Sequence, residues 1–209
     1  MSRDNLLFAK HDWFSVEEHQ KNQLREEVGT YDGNRMLNTS VDDLSGYFAD
    51  KYSMDVPVLQ RDAIVADQRE TKIDKSHDFR YGPRFDGRPI MVDGNTVEIT
   101  VPFTGDGQLL SVRPTTYSMK PPRASIRGNT LVLQFSGVDQ SSGQLKSEIE
   151  KALTDIETHL DRLRKSAETF NGSLRSMALQ AIETRREKLL ANQNLVSAKR
   201  LTTRARPTS

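Results

Sequence analysis

IETHLDRLRKSAETFNGSLRSMALQA, residues Ile156 to Ala181, is the stretch whose reading decides the fold. Its apolar residues Ile156, Leu160, Leu163, Ala167, Phe170, Leu174, Met177 and Ala181 follow one another in alternating steps of four and three. Such spacing places one apolar stripe along a helix, the pattern of a seam that meets a partner helix. Leu145, Ile149 and Leu153 extend the stripe backwards in looser register, and Ser141 and Ser142 are candidate caps. A continuous helix over 144–190 would be roughly 70 Å long at 1.5 Å per residue. Asn171-Gly172-Ser173 offers an alternative, a turn between two antiparallel helices. Yet Phe170 to Leu174 is a correct step of four, and a helical glycine costs only about 1 kcal/mol relative to alanine. The pattern favours the continuous helix.

Before this helix, two shorter ones are expected. Ser15 with Glu17 and Glu18 marks a helix start, with stop signals at Gly29 and in the cluster Tyr31-Asp32-Gly33-Asn34. Ser40 with Asp42 and Asp43 marks a second, presenting Val41, Leu44 and Phe48 on one side. Leu6, Leu7, Phe8, Trp13 and Phe14 are too many large apolar groups for a free tail, so something covers them.

From Val56 to Ser136 the signals are those of strands. Val97, Ile99 and Val101 alternate with polar residues, and Pro102 is expected to end that strand or put it on an edge. Leu109 to Val112 is expected to pair back across Thr104-Gly105-Asp106-Gly107, and Gly128-Asn129 joins a second hairpin. Asp74 to Pro89 reads as a surface loop. The fold class is therefore α+β: short N-terminal helices, a small antiparallel β-sandwich or barrel-like module, and a long C-terminal heptad-patterned helix, as coiled coil or helical hairpin. The corresponding divisions are 1–55, 56–138, 141–191 and a basic flexible tail at 192–209.

Composition narrows the function classes. With no cysteine in 209 residues there is no disulfide framework, thiolate metal site or cysteine nucleophile. No apolar run reaches membrane-span length, and MSRDNLLFAKHDW lacks a cleavable signal pattern, so the expected location is cytoplasmic, away from membrane. The net charge of +1 hides an acidic front, −5 over residues 1–60, and a basic end, +5 over residues 183–209.

Candidate chemistry is sparse, and no cofactor is expected. Gly105-Asp106-Gly107 lacks a third glycine and opens no helix, and no two of His11, His19, His77 and His159 stand three or four apart. The sharpest enzymatic pattern is Asp62 followed by Glu70-Thr71-Lys72, residue types with which restriction-type nucleases hold a divalent cation and activate water. Arg185, Arg186, Lys188, Lys199, Arg200, Arg204 and Arg206 are candidate phosphate contacts, although no aromatic residue lies among them to stack on bases. Cations at a helix C-terminus are also favourable in themselves, which accounts for the first three.

The run Val56-Pro57-Val58-Leu59, the segment Asp62 to Glu70, and Val101-Pro102-Phe103-Thr104-Gly105-Asp106 resemble the N-terminal region of poorly characterised multidomain bacterial proteins. So do Phe170-Asn171 with Leu174 and the segment Ala181 to Leu190. The resemblance implies a non-catalytic preamble to a C-terminal restriction-endonuclease-like or TIR effector, of the antiphage-defence type. It transfers no catalytic residue to this chain. The expected function is a non-enzymatic oligomerisation or regulatory module, sensor or scaffold, forming a homo-oligomer or binding a partner protein through the helix seam. The alternatives are a metal-dependent nuclease using Asp62, Glu70 and Lys72, and a nucleic-acid-binding module using the basic end.

Overall fold

The computed structural model describes residues 6–76, 78, 80, 88–117, 120–138 and 141–204, with side chains as far as Leu195. The chain forms two compact units: Met1–Trp13 with Asp55–Arg164, and Phe14–Met54 with Lys165–Ser209. The class is α+β, as the sequence predicts, but the partition differs from the expected one. Residues 6–13 join the β-rich unit, and the long helix contributes to both units.

In the first unit the organising strand is β4, Met91–Thr104. It pairs antiparallel with β3 (Val65–Asp74) on one side and β7 (Thr130–Gly137) on the other, and β6 (Ser125–Arg127) lies beyond β7. Ile99, Val101 and Phe103 are buried on one face of β4, and Leu133 and Leu131 stand opposite the first two. Pro102 does not end the strand. Beta4 exchanges β3, whose pairing stops at Thr100, for β2 (Val58–Leu59), whose pairing starts at Phe103. The proline sits where one partner gives way to the other: its carbonyl accepts from Gln60 N–H at 2.8 Å, and its missing N–H forgoes only the reciprocal bond at the end of the β2 pairing.

The expected hairpin after Thr104 does not form. Gly105 has φ +85°, and a Cβ there would approach the Asp55 carbonyl oxygen to 3.0 Å. The chain then makes a 3₁₀ turn, Gly107–Ser111, that buries Leu109 and Leu110, and β5 (Val112–Arg113) runs parallel to β1 (His11–Asp12). This pairing explains the apolar N-terminus. Phe8 N–H donates to the Leu110 carbonyl at 2.7 Å and Lys10 N–H to that of Ser111 at 3.0 Å, while Leu7, Phe8 and Trp13 are buried. The Gly128-Asn129 hairpin forms as read, with φ +56° at Gly128.

The described strands make one open sheet and a two-stranded pair, and they close no barrel. A second sheet is not needed because helix α4 supplies the other apolar surface of this unit. Alpha4 runs from Ser142 to Arg204, and Leu153, Ile156, Leu160 and Leu163 are all buried within the first unit. Arg61 fixes it from outside the core, with Nε and Nη2 donating to the Glu157 carboxylate and Nη1 to Glu150 at 2.7–2.8 Å. His159, one position before Leu160 of the seam, is only 4% exposed. Its ring stacks on Phe8 with centroids 5.0 Å apart.

The second unit is helical: α1 (Trp13–Thr30), α2 (Gly33–Asn38), α3 (Val41–Tyr52) and the later part of α4. Ser40 caps α3 as expected, its hydroxyl oxygen accepting from Asp43 N–H at 3.0 Å. The short α2, where only a turn was read, starts on Asp32, whose carboxylate accepts from Arg35 N–H at 2.8 Å. Leu24, Val28, Met36, Leu44 and Phe48 form the core with Ala167, Phe170, Leu174, Ala178 and Ile182. Glu27 of α1 accepts from both Lys51 and the Tyr52 hydroxyl of α3, and these bonds hold its carboxyl below the usual range.

Alpha4 does not turn at Asn171-Gly172, so the helical-hairpin alternative is corrected to one continuous helix. Asn171 works as a latch: Met54 N–H donates to its Oδ1 at 2.9 Å, and its Nδ2 donates to the Met54 carbonyl at 3.1 Å. A side-chain amide thereby satisfies both backbone groups of a residue just beyond α3. The tail is corrected too, since residues 192–204 are helical, consistent with the Leu, Ala, Gln and Lys among them. Gly172 has open space where a Cβ would stand. Gly172→Ala is therefore expected to stabilise the protein by about 1 kcal/mol, and Asn171→Ala to destabilise it by roughly 1–3 kcal/mol. Urea denaturation checks both, and a turn at this position would reverse the first result.

Candidate functional site

The nuclease pattern is not assembled. Asp62 lies in a 3₁₀ turn (Arg61–Ala63), while Glu70 and Lys72 lie well along β3. Five strand steps of about 3.3 Å, roughly 17 Å, separate Val65 from Glu70 alone. Lys72 instead donates to Asp93 across the ladder at 2.8 Å, with both side chains exposed. Among the described residues no group of three His, Asp or Glu side chains is placed to hold a metal ion. His77 lies outside the described residues.

The heptad seam meets a different fate. Ile156, Leu160, Leu163, Ala167, Phe170 and Leu174 are at most 2% exposed in the single chain, so its own elements already cover them. Beyond Leu174 the buried positions are Ala178 and Ile182, and Met177 and Ala181 turn to a half-exposed flank. A straight helix repeats every 3.6 residues and drifts from a 3.5-residue pattern, so the buried face moves one position on.

That drift helps to build the most distinctive site of the second unit. Met177 and Ala181 of α4, with Gly29 of α1, give an apolar side to a cleft of about 460 Å³ between these two helices. Arg25 of α1 and Gln180, Thr184, Arg185 and Lys188 of α4 line the rest. On α4 these residues recur at helical spacing, which puts them on one face. Three cations thus share one cleft whose described lining contains no carboxylate. Glu17 and Glu18 of α1 are held by Lys21 at 2.6 and 2.8 Å, and Glu27 by Lys51, so none of them forms an ion pair with Arg25 among the described residues. Among the described residues Arg25 donates a hydrogen bond to the neutral Asn22 amide oxygen, at 3.3 Å, and Glu18 acts on it only at longer range. Arg185 is the least satisfied, because its Nε is buried without an acceptor. A buried donor in that state costs roughly 1–3 kcal/mol, which an entering acceptor recovers.

The phosphate-contact candidates therefore divide. Arg185 and Lys188 line the cleft, but Arg186 does not: its Nε donates to the Met36 carbonyl at 2.8 Å and its Nη2 to that of Thr39. It satisfies carbonyls at the end of α2, a structural role that corrects its reading as a phosphate contact. Lys199, Arg200 and Arg204 lie on the last turns of α4, their side chains outside the described residues, as is all of Arg206. The helix-end explanation for Arg185 and Lys188 also fails, because α4 continues to Arg204 and the dipole effect is confined to the last turn.

Arg25, Gly29, Gln180 and Thr184 escape sequence reading, since nothing local marks two helix faces about 150 residues apart as neighbours. No protein-family model, curated protein or solved structure matches the chain. The two adjacent arginines give a direct comparison. Arg186→Ala is expected to lower stability by roughly 1.5–3 kcal/mol, the worth of hydrogen bonds from a charged group. Arg185→Ala should stay within about 0.5 kcal/mol of the parent or exceed it. Denaturant midpoints of the two variants, measured side by side, decide.

Proposed function

We propose that the chain is a non-enzymatic regulatory binding module whose sensing site is the cationic cleft between α1 and α4. The observation that carries this reading is the buried, acceptor-less Nε of Arg185, beside Arg25 and Lys188 in a cleft without a described carboxylate. Like charges held together without a counter-ion repel one another, and an anion of phosphate or carboxylate type relieves that repulsion while accepting charge-assisted hydrogen bonds. The cleft volume falls within the range of small-ligand sites, and Met177 and Ala181 leave room for an apolar part of the ligand. Its described lining offers donors and cations rather than a group to take a proton, which suits binding better than bond cleavage.

A regulatory output is favoured because α4 carries core positions of both units, so a ligand that orders this helix acts on an element each unit needs. By the resemblance in its sequence, such a module would govern an effector encoded beside it. Binding of a nucleic-acid backbone would share Arg185 and Lys188. A compact cleft without aromatic residues fits a discrete anionic group better than a stacked strand.

Inorganic pyrophosphate at constant ionic strength is a suitable probe. It is expected to raise the thermal midpoint with saturable dependence as it binds the folded state, by about 2.7 kcal/mol at a hundred times Kd. Arg185→Ala and Lys188→Ala should each weaken binding about tenfold or more, the scale of one charged hydrogen bond. Equal titration curves for parent and both variants, or no response of the parent up to about 10 mM, would exclude the cleft as the site.

A further inference from the structure

We propose that the outer edge of β3 pairs antiparallel with β3 of a second copy of this chain, about a two-fold axis at Thr71. This inference concerns the first unit and stands independently of the ligand cleft. Beta3 is ten residues long and is hydrogen-bonded to β4 on one side only. Val65 to Glu70 are exposed in succession, so both faces of the strand as well as its outer edge meet solvent.

The register shows which backbone groups are free. Lys75 N–H donates to the Ile90 carbonyl at 2.8 Å, one step beyond the Asp74–Met91 pair. Odd-numbered residues of β3 therefore turn their backbone groups toward β4. Ala66, Gln68, Glu70 and Lys72 turn theirs outward, where the described strands offer no partner.

Charge selects the occupant. Exposed edges are commonly protected by charged side chains that keep other strands away. Protection against a second copy requires like signs to meet, and the signs here alternate: Asp67, Arg69, Glu70, Lys72, Asp74, Lys75. In an antiparallel two-fold pair, residues equidistant from the axis face each other. An axis at Asp67, Arg69, Glu70, Lys72 or Asp74 sets that charge against itself. With the axis at Thr71, Glu70 faces Lys72 twice, Asp67 faces Lys75 twice, Gln68 faces Asp74, and the threonines meet at the centre. Opposite-charge and Thr–Thr cross-strand pairs are both favourable. Glu70 and Lys72, both outward-turned, exchange backbone hydrogen bonds in this register. Asp67 and Glu70 have no ion pair among the described residues, and in this register Lys72 and Lys75 exchange their contacts with Asp93 and Asp78 for them.

Little apolar surface is gained, so the dimer is expected to be weak and sensitive to salt. Sedimentation equilibrium of the full chain at low salt tests it. The parent should show a reversible monomer–dimer equilibrium. Glu70→Lys and Lys72→Glu should each weaken it about tenfold or more, because each places like charges opposite one another twice. An equimolar mixture of these two variants should recover the parent association, because Lys at 70 then faces Glu at 72, and so should the double variant that exchanges the charges. Both positions of substitution are exposed, and circular dichroism confirms that the variants fold. A parent monomeric at every concentration overturns the proposal. So does a dimer indifferent to the single reversals, or one the mixture fails to recover.

Discussion

Nine apolar side chains of α4, from Leu153 to Ile182, are removed from water by elements of the same chain, and every other feature adapts to that burial. The seven larger ones each gain roughly 1.5–3 kcal/mol on leaving water, and no neighbouring helix could supply this without being equally long. The chain instead distributes the task between its units. In the first, the stripe is buried together with one face of an open sheet; in the second, it is buried among three shorter helices. The spacing of the buried positions averages close to the 3.6 residues of a straight helix. That period belongs to packing in a globular core, whereas a supercoil holds to 3.5.

The polar side chains that flank this stripe fall into two kinds. Asn171, Arg61 and Arg186 are saturated: an amide pairs with the backbone of Met54, one guanidinium grips two glutamates, and another caps α2. These are fixed geometries that place the surrounding elements. Arg185, Lys188 and Arg25 form no ion pair among the described residues, while Glu17, Glu18 and Glu27 of α1 are held by Lys21 and Lys51. The contrast between neighbours as close as Arg185 and Arg186 gives the cleft its meaning as a site.

Local signals in the sequence proved dependable where local chemistry decides. The Ser40 cap, the Gly128-Asn129 hairpin, the alternation along Val97–Val101 and the step of four across Gly172 all require only a few residues and appear as read. Non-local matters were hidden. The 3.5-residue seam and a 3.6-residue stripe are indistinguishable over Ile156–Leu174 and separate only at Met177 against Ala178. Whether a stripe faces a second chain or its own chain depends on what covers it, and the covering residues begin as early as Leu24. Val112 pairs with His11 across a hundred residues, and no turn signal announces such a parallel pairing. The cleft was half legible, through Arg185 and Lys188, because charge is visible in sequence. Arg25 and the gap that admits a ligand arise from packing.

Amide hydrogen exchange along α4, measured at nanomolar concentration where weak association is absent, tests most directly that the stripe is buried within one chain. Strong protection should persist from Leu153 to Ile182 and decline beyond Ala191, where described side chains are uncovered and the helix stands on its own hydrogen bonds. Protection of Leu153–Ile182 that disappears on dilution would contradict it, and would return the seam to the role of an interface between chains.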